Sequence, residues 1–305
     1  EELPPGDLLL RVRYSSLNYK DALSATGNPG VTKHYPHTPG IDAFGEAVEG
    51  PYPPGTKLII TGYDLGMNTS GGFAEFVRVP SQWAIPLPEG LSLREGASLG
   101  TAGLTAGLCV KALLDAGLSP AGAPVLVTGA TGGVGAVALG VLRRLGFDLE
   151  AISGKQNARE LLKPLAGDVE ILPRETVQDN PKRPLLSGRW QGAVDTVGGD
   201  TLAGLLRSVK RRGAVAACGN AGGGDLSTTV YPFILRGLRL QGIDSAETPI
   251  EVKEDIWRRL AGPWKPRGLD AVVEEVPLEA VPREVEAMLA GRHTGRTVIS
   301  LSGDK

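Results

Sequence analysis

Residues 125–135 read VLVTGATGGVG, an apolar run that ends in a glycine-rich turn. The run predicts a buried strand, and VGAVALGVLRRLG at 134–146 carries apolar side chains at helical spacing. A strand passing through such a turn into a helix is where a parallel α/β sheet receives a dinucleotide. The fingerprint G-x-G-x-x-G is met in variant form, with Ala130, Gly132 and Gly135 at its three glycine positions. Gly132 and Gly133 let the backbone approach a pyrophosphate, and Gly135 lets helix and strand pack closely. The free N–H groups at the helix N-terminus favour an anion.

Working outward, the alternation continues. DLEAIS (148–153), GAVDTVGG (192–199), AVAACG (214–219) and LRLQGID (238–244) read as strands. ARELLKPLAG (158–167), TLAGLLRSVKRRG (201–213) and YPFILRG (231–237) read as helices between them, the basic run at 210–213 forming a solvated helix end. Strand and helix alternating at these lengths predict a doubly wound parallel sheet. Residues before 97 differ: short β-like runs such as LLLRVRYSSL (8–17), TKLIITG (56–62) and FAEFVRVP (73–80) are punctuated by PPG at 4–6 and 53–55. They predict a barrel-like, mostly β part. A helix over 97–117 joins the two, and a strand, a helix and a final strand GRTVISL (295–301) close the chain.

With 305 residues, 41% hydrophobic and 22% charged, the chain can bury a full core and form two domains. A net charge of −2 gives no reason to expect nucleic acid or an anionic membrane as partner. Cys109 and Cys218 sit among small apolar residues without metal-ligand spacing, which suits a reduced, cytoplasmic protein. No 18-residue apolar run stands out. The chain opens on Glu1, which leaves room for a targeting segment ahead of it.

About 20 residues beyond the fingerprint, an NAD site usually carries an acidic residue for the ribose 2′-hydroxyl. This chain has AISGK at 151–155, which offers Ser153 and Lys155, a hydroxyl and a cation suited to a 2′-phosphate. Glu150 lies within the strand instead of at its C-terminal end. The reading is NADPH over NADH; the alternative is that Lys155 is a solvated turn lysine.

SSLNYKDALSATG (15–27), PHTPGIDAFGE (36–46), LGTAGLTAGLCVKAL (99–113), VTGATGGVGAVA (127–138), AISGK, AVDTVGG, AACGNAGG (216–223), TTVYPFILRGLRLQGIDS (228–245) and GRTVIS (295–300) follow one another in a familiar order. Together they resemble the zinc-free, quinone-oxidoreductase-like branch of the medium-chain dehydrogenase/reductase superfamily, and within it the acrylyl-CoA reductases. The resemblance spans nearly the whole chain. It implies a GroES-like catalytic domain from residues 1–97 and 246–305, with a Rossmann domain over 98–245 inserted between. It also implies a homodimer built through the sheet edge near LRLQGID. Zinc-dependent relatives carry G-H-E and a cysteine lobe. This chain reads Gly40, Ile41, Asp42 there and has two cysteines and three histidines in all, so no zinc is expected.

The resemblance also implies the site. Tyr19, in LNYKDA, lies against the cofactor and could protonate or hydrogen-bond an enolate; Asn18 orients substrate or the nicotinamide carboxamide, and Asp21 caps the helix that follows. Thr131, Gly132, Gly133 and Val134 meet the pyrophosphate. Asn220, Ile234 and Ser245 approach the nicotinamide half, Asn220 through its backbone, and Arg296 reaches the cofactor phosphates or pairs with a surface carboxylate. Without a metal to stabilise an oxyanion, reduction of an activated C=C bond fits better than carbonyl–alcohol interconversion. Three functions stay open: an NADPH-dependent reductase of acrylyl-CoA or a short analogue, an NADPH:quinone oxidoreductase, and a non-catalytic NADPH-binding sensor.

Overall fold

The computed structural model describes residues 3–178 and 183–301. Within these, the chain divides into two compact units. The first holds residues 3–104, Ser245–Gly262 and 272–301, and the second Thr105–Asp244 and Pro263–Ala271; residues 98–104 and Ser245 thus fall in the first unit and Pro263–Ala271 in the second, each opposite to the sequence expectation.

The first unit is built on β1 (Leu8–Ser16), α1 (Tyr19–Ala25), β2 (Asp42–Glu49), β3 (Lys57–Thr61), β4 (Phe76–Val79) and β5 (Ala84–Pro86). From β5 the chain enters the long helix α2 (Leu93–Asp115). In the second unit follow β6 (Val125–Val127), α3 (Gly133–Arg144), β7 (Leu149–Ile152), α4 (Ala158–Ala166), β8 (Glu170–Leu172) and α5 (Glu175–Gln178). They continue with β9 (Trp190–Asp195), α6 (Gly199–Ser208), β10 (Val209–Ala217), α7 (Tyr231–Arg236) and β11 (Arg239–Gly242). The first unit resumes with α8 (Ile250–Ala261), β12 (Val273–Pro277), α9 (Val281–Leu289) and β13 (Arg296–Ser300).

The sheet of the first unit runs β12-β13-β1-β2-β3-β5, with β4 also on β1. Its pairs are antiparallel except β12 with β13. Leu8, Leu10 and Val12 alternate inward along β1 and meet Leu58, Ile60 and Val77, the period of two that a half-buried strand requires. A second cluster joins Leu17 and Ala22 to Val276, Val281, Val285 and Ile299. It fixes the start of α1 beside α9 and β13.

The sheet of the second unit runs β11-β10-β9-β6-β7-β8, all parallel. Taken in chain order this is the arrangement 3-2-1-4-5-6, whose reversal falls between β6 and β9. Its core joins Leu126, Ile152, Trp190, Leu205 and Val215.

The structure departs from the sequence reading in three places. The helix expected through residue 213 ends at Ser208, because Val209 already bonds in register with Trp190. The basic residues Lys210, Arg211 and Arg212 therefore lie in an irregular stretch of β10, where Arg212 takes φ +60°. β8 and α5 went unread: EIL is too short a run to show a period. α2 is also long and apolar enough to cross a membrane, with a mean hydropathy of 1.4. However, 78% of that window is buried inside the protein, as in a core helix.

Candidate functional site

In the first unit the site residues gather where β1 hands over to α1. Asn18, extended at φ −126° and ψ 159°, precedes the first helical residue, Tyr19. Its N–H donates to Asp21 Oδ2 at 2.8 Å, so the N3 carboxylate reaches back to the helix start as in a capping box. Asp21 does more than cap. Its other oxygen accepts the N–H groups of Gly40 (3.2 Å) and Ile41 (2.8 Å), which ties α1 to the start of β2. Burial, with Asp42 close by, pushes the Asp21 carboxyl up to about 7 against the pull of these N–H bonds.

Asp42 is the hub. Its Oδ2 accepts from Ser16 Oγ at 2.5 Å, Asn18 Nδ2 at 2.8 Å and the Thr101 N–H at 3.0 Å; its Oδ1 accepts from Thr101 Oγ1 at 2.6 Å. Asn18 Oδ1 in turn accepts from Arg296 Nη1 at 3.2 Å. The amide orientation is thus fixed from both ends, and Tyr19 stands beside it 49% exposed.

Arg296 lies 2% exposed, with Nε on the Ser98 carbonyl (3.1 Å) and Nη1 on the Leu17 carbonyl (3.2 Å). The expected contact with cofactor phosphates is corrected accordingly: the side chain is sunk in the first unit and spent on holding Asn18. Burial lowers its pKa, and Asp42 and Asp21 work against that shift. Among the described residues its buried Nη2 finds no hydrogen-bond partner. A Cβ on Gly100 would stand 2.5 Å from this nitrogen and 2.7 Å from Asp42 Oδ2. Gly100 takes φ +55°, ψ −159°, which interrupts α2 and turns the Thr101 N–H onto Asp42.

In the second unit, Thr131, Gly132, Gly133 and Val134 form the turn from β6 into α3 beside the strand-order reversal, where open α/β sheets bind their ligands. Gly132 caps α3 without a side-chain bond. Among the described residues a Cβ there would meet only the Gly129 carbonyl at 3.2 Å, whereas at Gly135 it would stand 2.5 Å from that oxygen and 2.9 Å from Ala130 Cα. The third glycine is required by packing, and the second leaves backbone open to a phosphate. Thr131 Oγ1 and Ser153 Oγ lie 3.0 Å apart, and Ser153 Oγ also accepts the Lys155 N–H at 3.2 Å. Thr131, Ser153 and the Lys155 backbone are thereby tied into one ledge beside the turn.

Arg174, just past β8, joins that ledge: a Cβ on Gly154 would lie 3.1 Å from its guanidinium. Sequence reading missed it because it missed β8, the strand that carries it there. Glu150 is turned away from the ledge, accepting from Trp190 Nε1 and pairing with Arg189, each at 2.8 Å. Asn220 is exposed in the loop after β10, which packs on Val197–Gly199 through the bond from Gly222 N–H to the Val197 carbonyl (2.7 Å). Ile234 lies on α7, 67% exposed, apart from the glycine turn in the chain, and Ser245 belongs to the first unit. Among the described residues no three of His, Cys, Asp and Glu are gathered as metal ligands.

A parallel 3-2-1-4-5-6 sheet with a glycine turn at its reversal, in one chain with a mostly antiparallel β unit, is the architecture of a medium-chain dehydrogenase/reductase. Residues 4–89 match the alcohol dehydrogenase GroES-like domain. The chain is 44% identical to the putative quinone oxidoreductase YhfP of Bacillus subtilis (strain 168), over 99% of this chain and 92% of that one. The solved structure of YhfP with NAD bound superposes with a TM-score of 0.95 at 43% identity, covering 98% and 92%. The probable acrylyl-CoA reductase AcuI of Escherichia coli (strain K12) is 43% identical over 98% of this chain and 93% of that one. E. coli K-12 YhdH with bound NADPH superposes with a TM-score of 0.94 at 42% identity, covering 98% and 93%. The chain belongs to the zinc-free, quinone-oxidoreductase-like branch of the medium-chain dehydrogenase/reductase superfamily, in the subgroup of the acrylyl-CoA reductases, and is an oxidoreductase.

Proposed function

We propose that this protein reduces the C=C bond of a short α,β-unsaturated acyl-CoA with NADPH, in the manner of acrylyl-CoA to propionyl-CoA. The observation that carries the cofactor half is the ledge of Ser153, Lys155 and Arg174 beside an open glycine turn. Two cations and a hydroxyl suit a 2′-phosphate, and Glu150, the nearest acid in β7, is held by Trp190 and Arg189. The thioester half rests on the likeness to AcuI, and the likeness to YhfP supports a quinone as the second reading.

When bound, NADPH supplies a hydride from its nicotinamide C4 to the β-carbon of the unsaturated thioester. The turn of Thr131, Gly132, Gly133 and Val134 would hold the pyrophosphate with backbone N–H groups, and the ledge would hold the ribose phosphate. The family resemblance carries over Asn220 and Ile234 of the second unit, and Ser245 of the first, as nicotinamide contacts. Tyr19, exposed at the start of α1, donates its phenolic O–H toward the charge that develops on the thioester side. Asn18, clamped between Asp42 and Arg296, keeps Tyr19 and the α1 terminus in one place.

We also propose that the protein works as a homodimer. Among the described residues β11 bonds to β10 alone, and Val230, Tyr231, Ile234 and Leu235 on the adjoining α7 segment stand exposed. A second copy would cover both the bare strand edge and this apolar face.

The cofactor assignment is tested by replacing Lys155 with Glu and Arg174 with Gln and titrating each nucleotide. NADPH affinity should fall about tenfold or more per substitution, since a charge-assisted bond is worth roughly 1.5–3 kcal/mol, while NADH affinity holds or rises. Equal loss for both nucleotides would overturn the assignment.

A further inference from the structure

α8 carries a lysine that the mechanism above leaves unused. Lys253 is fully buried, at 0% exposed. Its ammonium donates to the carbonyls of Thr61 and Ala246, each at 2.9 Å, and lies 3.4 Å from the centre of the Tyr63 ring. That ring stacks on Trp83, with centroids 5.4 Å apart and planes at 15°. Tyr63 holds φ +51°, a conformation that a bulky side chain adopts only where its surroundings impose it.

The two carbonyls belong to two segments of the first unit, one paired with the strand that carries Asp42 and one that follows Ser245, which the proposed function sets against the nicotinamide. Thr61 is the register partner of Asp42 across β2 and β3, and the next residue, Gly62, donates its N–H to the Ile41 carbonyl at 3.1 Å. Asp42 holds Asn18, and the Ile41 N–H holds Asp21. Ala246 follows Ser245, and its carbonyl also accepts the Tyr63 N–H at 3.0 Å. One ammonium thus ties the Thr61–Tyr63 turn, under the Asp42 hub, to the backbone that presents Ser245. Sinking an ammonium carries a desolvation penalty before its bonds are counted. A leucine or methionine would fill the same place without that cost, so volume alone does not call for a lysine.

We propose that Lys253 is a positioning residue for the nicotinamide half of the site, setting Ser245 in register with Asn18 and Tyr19. The inference rests on the reading that this site takes NADPH. It acts on how the nicotinamide is held, leaving the binding of the adenosine phosphates to the second unit.

The test compares Lys253→Met and Lys253→Arg with the wild type, measuring affinity for NADPH and for 2′,5′-ADP, which lacks the nicotinamide, together with kcat and KM. Lys253→Met should weaken NADPH about tenfold and lower kcat about tenfold, leave 2′,5′-ADP within twofold, and be rescued to within threefold by Lys253→Arg. A folded Lys253→Met that holds NADPH and kcat within twofold of the wild type overturns the inference, and so does equal loss of both nucleotides. If Lys253→Met does not fold, Tyr63→Asn carries the test, because asparagine tolerates the positive φ while removing the ring from the ammonium. NADPH should then weaken and 2′,5′-ADP hold; an unchanged NADPH affinity overturns the inference. A wild type that binds 2′,5′-ADP and NADH but shows no NADPH preference overturns the underlying cofactor reading instead, while the comparison of NADH with 2′,5′-ADP still tests Lys253. A wild type that binds no nucleotide overturns both.

Discussion

Asp21 spends both carboxylate oxygens on backbone N–H groups, yet burial beside Asp42 raises its pKa from 3.8 to about 7. The folded chain therefore holds a proton at Asp21 that the unfolded chain releases near pH 4. Where the folded state binds more protons than the unfolded, stability falls as pH rises, so this residue makes the fold less stable from about pH 4 to about pH 7. In urea titrations across that window, Asp21→Asn should flatten the decline of the wild-type unfolding free energy; an unchanged slope would show that Asp21 does not set it. At this scale the sequence was readable where residue type is chemistry. Ser153 and Lys155 stand at the ribose position by count along the chain; Ser153 Oγ lies on Thr131 Oγ1 of the glycine turn and accepts the Lys155 N–H. Arg296 was misread, because an arginine before an exposed-looking C-terminal strand gives no sign that its side chain turns inward to Leu17, Asn18 and Ser98. The Asp42 hub was legible only as the residue standing where zinc relatives have a glutamate. Its partners Ser16 and Thr101 come from separate elements.

Among the elements, α2 shows how one residue shapes a site from inside a helix. Its sequence is rich in helix formers and reads through without a stop to Gly117, but Gly100 breaks it at φ +55° so that the Thr101 N–H can reach Asp42. Gly100→Ala adds a Cβ at 2.5 Å from Arg296 Nη2 and 2.7 Å from Asp42 Oδ2, in a backbone conformation that L residues avoid. The substitution should cost about 2–4 kcal/mol of stability, overpacking and backbone strain together, and lower kcat more than it changes nucleotide affinity. Loss of less than about half a kcal/mol in chemical denaturation, the size of an ordinary surface change, would contradict the packing argument. β6, β7, β9 and the inner end of β10 were legible because parallel strands buried on both faces read as apolar runs. β8 was the exception, a three-residue strand with one exposed and one half-buried position, and Arg174 went unread with it.

For the whole molecule, the order of β, alternating α/β and returning β segments was written in the spacing of turns and apolar runs. The allocation of Pro263–Ala271 to the second unit was not, since it depends on contacts such as Gly140 with Pro266 and Gly268 with Pro164 that no local pattern announces. The bare edge of β11 and the exposed α7 side chains carry a prediction at this scale. Leu235→Asp should shift a dimer to monomer in sedimentation velocity, since a buried unpaired carboxylate opposes association. A wild type that sediments as a monomer would contradict the dimer. The central claim is that the chain is an NADPH-dependent enoyl-thioester reductase. The most direct measurement follows absorbance at 340 nm with NADPH and NADH in parallel, against acrylyl-CoA, crotonyl-CoA and a simple quinone. The account predicts fast NADPH loss with acrylyl-CoA and little with NADH or the quinone. Turnover with the quinone alone, or a preference for NADH, would contradict it.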